Sequence, residues 1–202
     1  AARLEALVNA LVFERVIVPI DVEPDPRVTG VHAGDSGHNP IDFVRVQTPA
    51  GEALAIYSSV RALSAHRPGD RPMALDFRTI GLTALIETGG RVVVNPGTDA
   101  VLLPRPAVAA LAQGDQWLPA WRDVALRDLL FDEANAVCSA ITDLSITYAG
   151  GGLTRVIVSV ERSCFTGAAN ASAMKQSLTQ ALSHVGANRR LIASADRVEI
   201  AP

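Results

Sequence analysis

A chain of 202 residues that is 49% hydrophobic and 19% charged carries enough apolar surface for one large core or two small ones. Its formal net charge of −3 excludes the dense basic face with which proteins grip nucleic acid, since the basic groups Arg61, His66, Arg67, Arg71 and Arg189-Arg190 form only short clusters. Cys138 and Cys164 are the two cysteines, too few for a disulfide framework, which points to a reducing, cytoplasmic setting. The apolar run over residues 7–13 is stopped by Glu14-Arg15 and is too short to span a membrane. The chain begins Ala1-Ala2-Arg3 without a Met, which reads as a trimmed or processed start.

Leu4, Leu7, Val8 and Leu11 fall at helical spacing and predict an opening amphipathic helix. Val16-Ile17-Val18-Pro19-Ile20 reads as a buried strand. Residues 21–40 hold Pro24, Pro26 and Pro40 with Gly30, Gly34 and Gly37, the composition of a long irregular loop. Phe43-Val44-Arg45-Val46 and Ala53-Leu54-Ala55-Ile56-Tyr57 flank Pro49-Ala50-Gly51-Glu52, a hairpin signature. Ser58 or Ser59 then caps a short helix through Leu63. Asp76 is placed to cap a further helix with the apolar stripe Phe77, Ile80, Gly81, Ala84 and Leu85, which Gly89-Gly90 ends. Val92-Val93-Val94 predicts a buried strand. At Asn95-Pro96-Gly97, Pro96 presets φ for the second turn position and Gly97 supplies positive φ at the third. Turn chemistry alone accounts for this corner; the competing reading is a ligand held by exposed turn amides. Val101-Leu102-Leu103 returns as a partner strand, followed by a helix from Pro106 to Gly114.

Gln116-Trp117-Leu118-Pro119-Ala120-Trp121 marks a boundary, because Pro119 prevents a regular helix interior. Its two tryptophans either seal the junction between halves or anchor a partner, as Trp does at interface hot spots. Beyond it, Val124-Ala125-Leu126 reads as a strand and residues 133–141 as a helix. Residues 145–148 and 154–161 read as strands joined across Gly150-Gly151-Gly152, and Val156, Val158 and Val160 share one face. Residues 170–185 form a helix with Met174, Leu178, Leu182 and Val185 on one stripe and Gly186 as its stop. Residues 197–200 make a final strand. The order β-α-β-β-α-β predicts a ferredoxin-like arrangement. The fold class expected is therefore α/β in the broad, α+β sense: a mixed-sheet N-terminal domain over residues 1–120, then a smaller ferredoxin-like α+β unit over residues 121–202.

Three stretches carry a family resemblance. "RVIVPI" (15–20), "GEALAIYSSVRALSAHRPGDRP" (51–72) and "GGRVVVNPGTDAVLLPRPAVAALAQG" (89–114) resemble the opening strand, the hairpin with its capped helix, and the strand, turn and closing helix of actinobacterial members of the SseB family, named for enhanced serine sensitivity. That family often shows Phe-Thr-Ser where this chain has Ile56-Tyr57-Ser58. The C-terminal half is similar to the family's second domain in its layout of strands and helices. The resemblance implies a cytoplasmic protein linked to amino-acid, specifically serine, physiology, and it brings no catalytic residue.

The search for chemistry returns little. "GDSGHNP" (34–40) echoes the nucleophile loop of trypsin-like proteases, but that chemistry needs a His base and an Asp orienter on a two-barrel β-fold. His32, Asp35, His38 and Asp42 offer imidazole and carboxylate for a divalent metal without a familiar ligand spacing. Cys164 has no base or helix N-terminus in sequence reach to activate its thiol, Cys138 reads as core, and His66 and His184 read as surface. Gly150-Gly151-Gly152 lies between two strands, so it lacks the helix start of a phosphate loop. No catalytic, cofactor or metal residue is assigned. The expectation is a non-catalytic interaction or regulatory protein, with no nucleic acid and no membrane, engaging a protein partner or a second copy of itself through Trp117 and Trp121 or a sheet edge. The alternatives are a small-ligand sensing module and, third, a hydrolase or transferase using the His32-to-Asp42 loop.

Overall fold

The computed structural model describes residues 1–20, 43–166 and 168–202. The chain divides into two compact units, Ala2–Gln116 and Trp117–Pro202. Helices and mixed sheets alternate in both, so the fold is α+β. Among the described residues no helix is long and apolar enough to cross a membrane. The irregular loop expected over residues 21–40 lies outside the described residues.

In the first unit α1 (Ala2–Leu11) buries Leu4, Val8 and Leu11, the i, i+4, i+7 stripe read from the sequence. β1 (Arg15–Ile20) follows. β2 (Arg45–Thr48) and β3 (Gly51–Ile56) form the expected antiparallel hairpin. The Thr48 hydroxyl donates to the Gly51 carbonyl at 2.7 Å and accepts from the Ala50 N–H at 3.2 Å, so the turn's polar groups satisfy one another. Ser59, not Ser58, caps α2 (Val60–His66): its Oγ accepts from the Ala62 N–H at 3.1 Å.

β4 (Arg71–Asp76) is a strand that the sequence reading does not assign. It pairs antiparallel with β1 from Arg15↔Asp76 to Ile20↔Arg71, with Pro19 opposite Pro72. α3 (Phe77–Glu87) starts where expected, but the Asp76 side chain makes no capping bond; it accepts from Arg15 at 3.4 Å. β5 (Val92–Val94), β6 (Val101–Leu102) and α4 (Arg105–Gln113) complete the unit. The larger sheet runs β2-β3-β5-β6. Its β3–β5 pair is parallel, with Leu54↔Val92, Ala55↔Val93 and Ile56↔Val94 in register. All three β5 valines are buried, as befits a strand covered on both faces. α3 and α4 approach closely at Gly81, where an added Cβ would lie 3.0 Å from the Ala112 Cβ.

The second unit corrects the ferredoxin-like expectation. Residues 124–126 open a helix, α5 (Val124–Val137), and are not a strand. The cause is Asp123, whose carboxylate accepts from the Leu126 N–H at 3.0 Å and starts the helix. Leu126, Leu130 and Ala134 then bury one helical stripe while Val124 stays 61% exposed. Ile141 belongs to β7 (Ile141–Gly150), not to a helix. β8 (Leu153–Val160) pairs antiparallel with β7, and β9 (Arg197–Ala201) pairs parallel with β8, giving a three-stranded sheet of order β7-β8-β9. The observed order is thus α-β-β-α-α-β, without a leading strand. α6 (Ala168–Ala187) runs past Gly186, which is no stop. A Cβ there would meet Ile200 Cδ1 at 3.2 Å, so this glycine serves close packing. Asn188 then caps α7 (Arg189–Ser194), accepting from Arg190 N–H at 3.0 Å and Leu191 N–H at 3.1 Å. Leu126, Leu130, Leu144, Val156, Val158, Val185 and Leu191 share the unit's core.

Asp123 also receives one Arg190 amino group on both oxygens, at 2.9 and 2.7 Å, which ties the starts of α5 and α7. Asp123→Ala removes the cap and leaves two donors short of a partner, so it should lower stability by about 1–3 kcal/mol. Asp123→Asn, which keeps a capping oxygen, should lose less. Urea unfolding of the two variants checks the ordering.

Candidate functional site

Strands that run parallel end on the same side of a sheet, and in open α/β sheets ligands settle beyond those carboxyl ends. β3 and β5 are such a pair. The segments leaving them, Tyr57-Ser58-Ser59 and Asn95-Pro96-Gly97, are therefore neighbours although they lie far apart in sequence.

Asn95 fastens the two. Its N–H donates to the Ile56 carbonyl at 2.8 Å, extending the parallel ladder. Its side-chain oxygen accepts from the Ser58 N–H at 2.9 Å, and its amide nitrogen donates to Ser58 Oγ at 3.1 Å. Asn95 has φ of 52°, the left-handed region that asparagine tolerates better than other side chains. The Thr98 N–H donates back to the Asn95 carbonyl at 3.3 Å, closing the turn, and Gly97 has φ of 88°. The expected positive φ at Gly97 is present, with a second at Asn95.

The corner also seats an imidazole. The seven-residue helix α2, capped by Ser59, carries His66 back toward the strand ends. There His66 Nδ1 lies 2.8 Å from the Tyr57 hydroxyl. The ring lies against Gly97 so closely that an added Cβ would sit 2.2 Å from its Cδ2 and 2.8 Å from its Nε2. Gly97 is thus required twice, for its backbone angle and for its missing side chain. Tyr57 is 1% exposed and packs with Ala55 and Leu63. Its backbone exchanges two hydrogen bonds with Ile17 of β1, at 2.7 and 2.9 Å. Burial raises the phenol's pKa above its ordinary value; the nearby Arg67 guanidinium works against this and Asp70 with it. Arg67 and Asp70 are themselves an ion pair.

Beside this cluster lies a cleft of about 400 Å³. Val46, Val93, Pro96 and Leu102 give it apolar walls, and His66 and Thr48 stand among its polar groups. Among the described residues its lining contains no Asp or Glu. Thr48 is already committed within the β2–β3 turn, and Gln47 donates to Glu52 at 3.2 Å. His66 Nε2 has no partner among the described residues. A cavity of this size with apolar walls and one directed polar group suits a small molecule.

The residues singled out from sequence fall elsewhere. Trp117 and Trp121 both lie in the second unit, half-buried, with ring centroids 5.6 Å apart in an edge-on contact. Trp121 in turn packs against Tyr148, with ring centroids 4.8 Å apart and the planes tilted by 37°. The Trp117 indole N–H is buried and has no hydrogen-bond partner among the described residues. Cys138 is buried and Cys164 half-buried, both free thiols, and Cys138 Sγ contacts Met174 Sδ at 3.7 Å. Gly150, Gly151 and Gly152 join β7 to β8. His32, Asp35, His38 and Asp42 lie outside the described residues; among those described, no three His, Cys, Asp or Glu side chains gather as a metal site. Sequence reading placed His66 at the surface, and it is exposed; what that reading passed over was Tyr57 and the contact between the two. The available signal was the Asn-Pro-Gly corner, but linking it to His66 required the length and cap of α2.

A family model described as SseB protein N-terminal domain matches residues 1–110, more than half of the chain. No curated protein and no solved structure matches.

Two expectations test the cluster. Gly97→Ala should displace the imidazole and strain the turn, lowering stability by about 1–3 kcal/mol. Paired with His66→Ala it should lose less than the sum of the single changes, because the obstructing ring is gone; thermal unfolding of the four proteins measures this. The raised Tyr57 pKa means that the folded state keeps a proton which the unfolded chain releases near pH ~10. Its stabilising contribution is complete below that pH and is lost as pH rises through the folded value. Alkaline titration followed by phenolate absorbance should show one late-ionising tyrosine, which Tyr57→Phe abolishes.

Proposed function

The chain belongs to the SseB family, and from that premise we propose a non-catalytic regulatory protein whose N-terminal domain senses a small ligand in the cleft beside His66. One observation carries this reading. Between the β2–β3 turn and the corner that follows β5, a cleft of about 400 Å³ pairs apolar walls with an imidazole held in place on one edge. An imidazole poised for acid–base chemistry needs a nucleophile or a second ionisable group facing the same volume. Here its neighbour is a buried phenol kept protonated, and among the described residues no carboxylate lines the cleft. That arrangement favours recognition over turnover. Two free thiols support a cytoplasmic location, and the family's link to serine sensitivity is consistent with a role in amino-acid physiology.

A second reading, a protein partner docking at Trp117 and Trp121, is favoured by Leu118 and Val124, which are 56% and 61% exposed beside the indole pair. Such apolar groups flanking aromatics resemble interface anchors.

A thermal-shift screen of the full chain with small acids, amino acids, sugars and nucleotides separates the two. Ligand sensing predicts at least one compound that raises the unfolding temperature, reaching about 2.7 kcal/mol of stabilisation at a hundredfold excess over Kd. Ala100→Phe, at an exposed position on the cleft rim, should abolish that rise without lowering the unliganded transition. No stabilisation by any class, together with a purified partner whose binding Leu118→Asp removes, would transfer the function to the tryptophan surface.

A further inference from the structure

We propose that the cleft binds a short aliphatic carboxylate lacking an amino group, held through the Nε2–H of His66. This rests on the ligand-sensing reading above and adds the ligand's chemical class.

The tautomer comes first. The Tyr57 hydroxyl is buried with its residue, and among the described residues it has one partner, His66 Nδ1 at 2.8 Å. A buried O–H donates where an acceptor is available, so Nδ1 accepts and the ring's proton sits on Nε2. Nε2 lies along Gly97, a residue of the cleft wall, and has no protein partner among the described residues. His66 is exposed, so the site offers an oriented N–H donor that water satisfies when the cleft is empty and that a ligand's acceptor can take over. An acceptor that is ionised makes the shorter and stronger bond.

The rest of the lining decides what accompanies the acceptor. Val46, Val93, Pro96 and Leu102 present hydrocarbon, which favours an aliphatic body. Among the described residues no Asp or Glu lines the cleft, so an incoming carboxylate meets no like charge from them. The same lack disfavours an α-amino acid, whose ammonium would be desolvated without a counter-charge. The Thr48 hydroxyl already donates to the Gly51 carbonyl and accepts from the Ala50 N–H, which leaves it one lone pair and no charge to offset an ammonium. Serine and other polar amino acids fit this chemistry worst, and the deaminated skeleton of a branched amino acid fits it well.

The test uses the full chain and four probes: isocaproate, its amide, leucine, and a peptide ending in a free leucine carboxylate. Each is titrated while the His66 ring resonances and the unfolding temperature are followed. Isocaproate should shift the His66 resonances saturably and raise the unfolding temperature. The amide should bind about tenfold more weakly, the difference between a charge-assisted and a neutral hydrogen bond. Leucine should also bind more weakly than isocaproate. His66→Gln should lose a similar factor, and Ala100→Phe should eliminate binding while leaving the fold intact. Equal binding by acid and amide, or tighter binding by leucine, would overturn the carboxylate class while leaving ligand sensing in place. Binding of the peptide alone would overturn it in favour of a protein C-terminus. If none of these probes binds, the class assignment fails; if the broader screen also finds nothing sensitive to Ala100→Phe, the sensing reading fails with it.

Discussion

The parallel ladder between β3 and β5 governs the first unit. A parallel pair cannot be joined by a tight turn; the chain must cross over before pairing again. Here the crossover between Ile56 and Val92 carries α2, β4 and α3, and both strands finish side by side. Everything of functional interest follows from that coincidence of ends. The buried valines of β5 hold the pair by hydrophobic contact on both faces, and the segment after each strand then faces the other across one residue spacing.

Within that frame the Asn-Pro-Gly corner is more than a change of direction. A left-handed backbone at a residue bearing a side chain costs on the order of 1–2 kcal/mol. Asn95 offsets this with bonds to both the backbone and the side chain of Ser58. The neighbouring glycine leaves a gap of ring size, and His66 fills it. Backbone geometry, a short capped helix and a buried phenol combine to hold one imidazole nitrogen, with the other left facing the cleft edge.

How much of this was legible depended on whether the signal was local. The stripe Leu4–Val8–Leu11, the Ser59 cap, and the positive φ at Gly90, Gly97 and Gly114 are all set by neighbours within one turn, and each is where periodicity and turn chemistry place it. β4 was hidden because Arg71-Pro72 reads as a break, and its pairing partner β1 lies far back in the chain. Residues 124–126 have strand-like apolar character, but Asp123 supplies a cap that outweighs it. Gly186 looks like a stop until Ile200 arrives from β9 to use the space. His66 is unremarkable in sequence because its partners, Tyr57 and Gly97, meet it only after α2 and the parallel ladder have formed. Non-local assembly, not weak propensity, is what hid the site.

The Gly150-Gly151-Gly152 connection has φ of 92°, 55° and 78°, and nothing lies within 4 Å of where a Cβ would stand on the first two. Such a link imposes no alignment of its own, so the offset between β7 and β8 must be dictated by the strands, including the irregularity between Ile141 and Asp143. The tip of this hairpin, between Gly150 and Gly151, is accordingly the natural position in the second unit to splice in a label or an extra segment, on the side of the link away from the Gly152 N–H that donates to the Tyr148 hydroxyl at 3.4 Å.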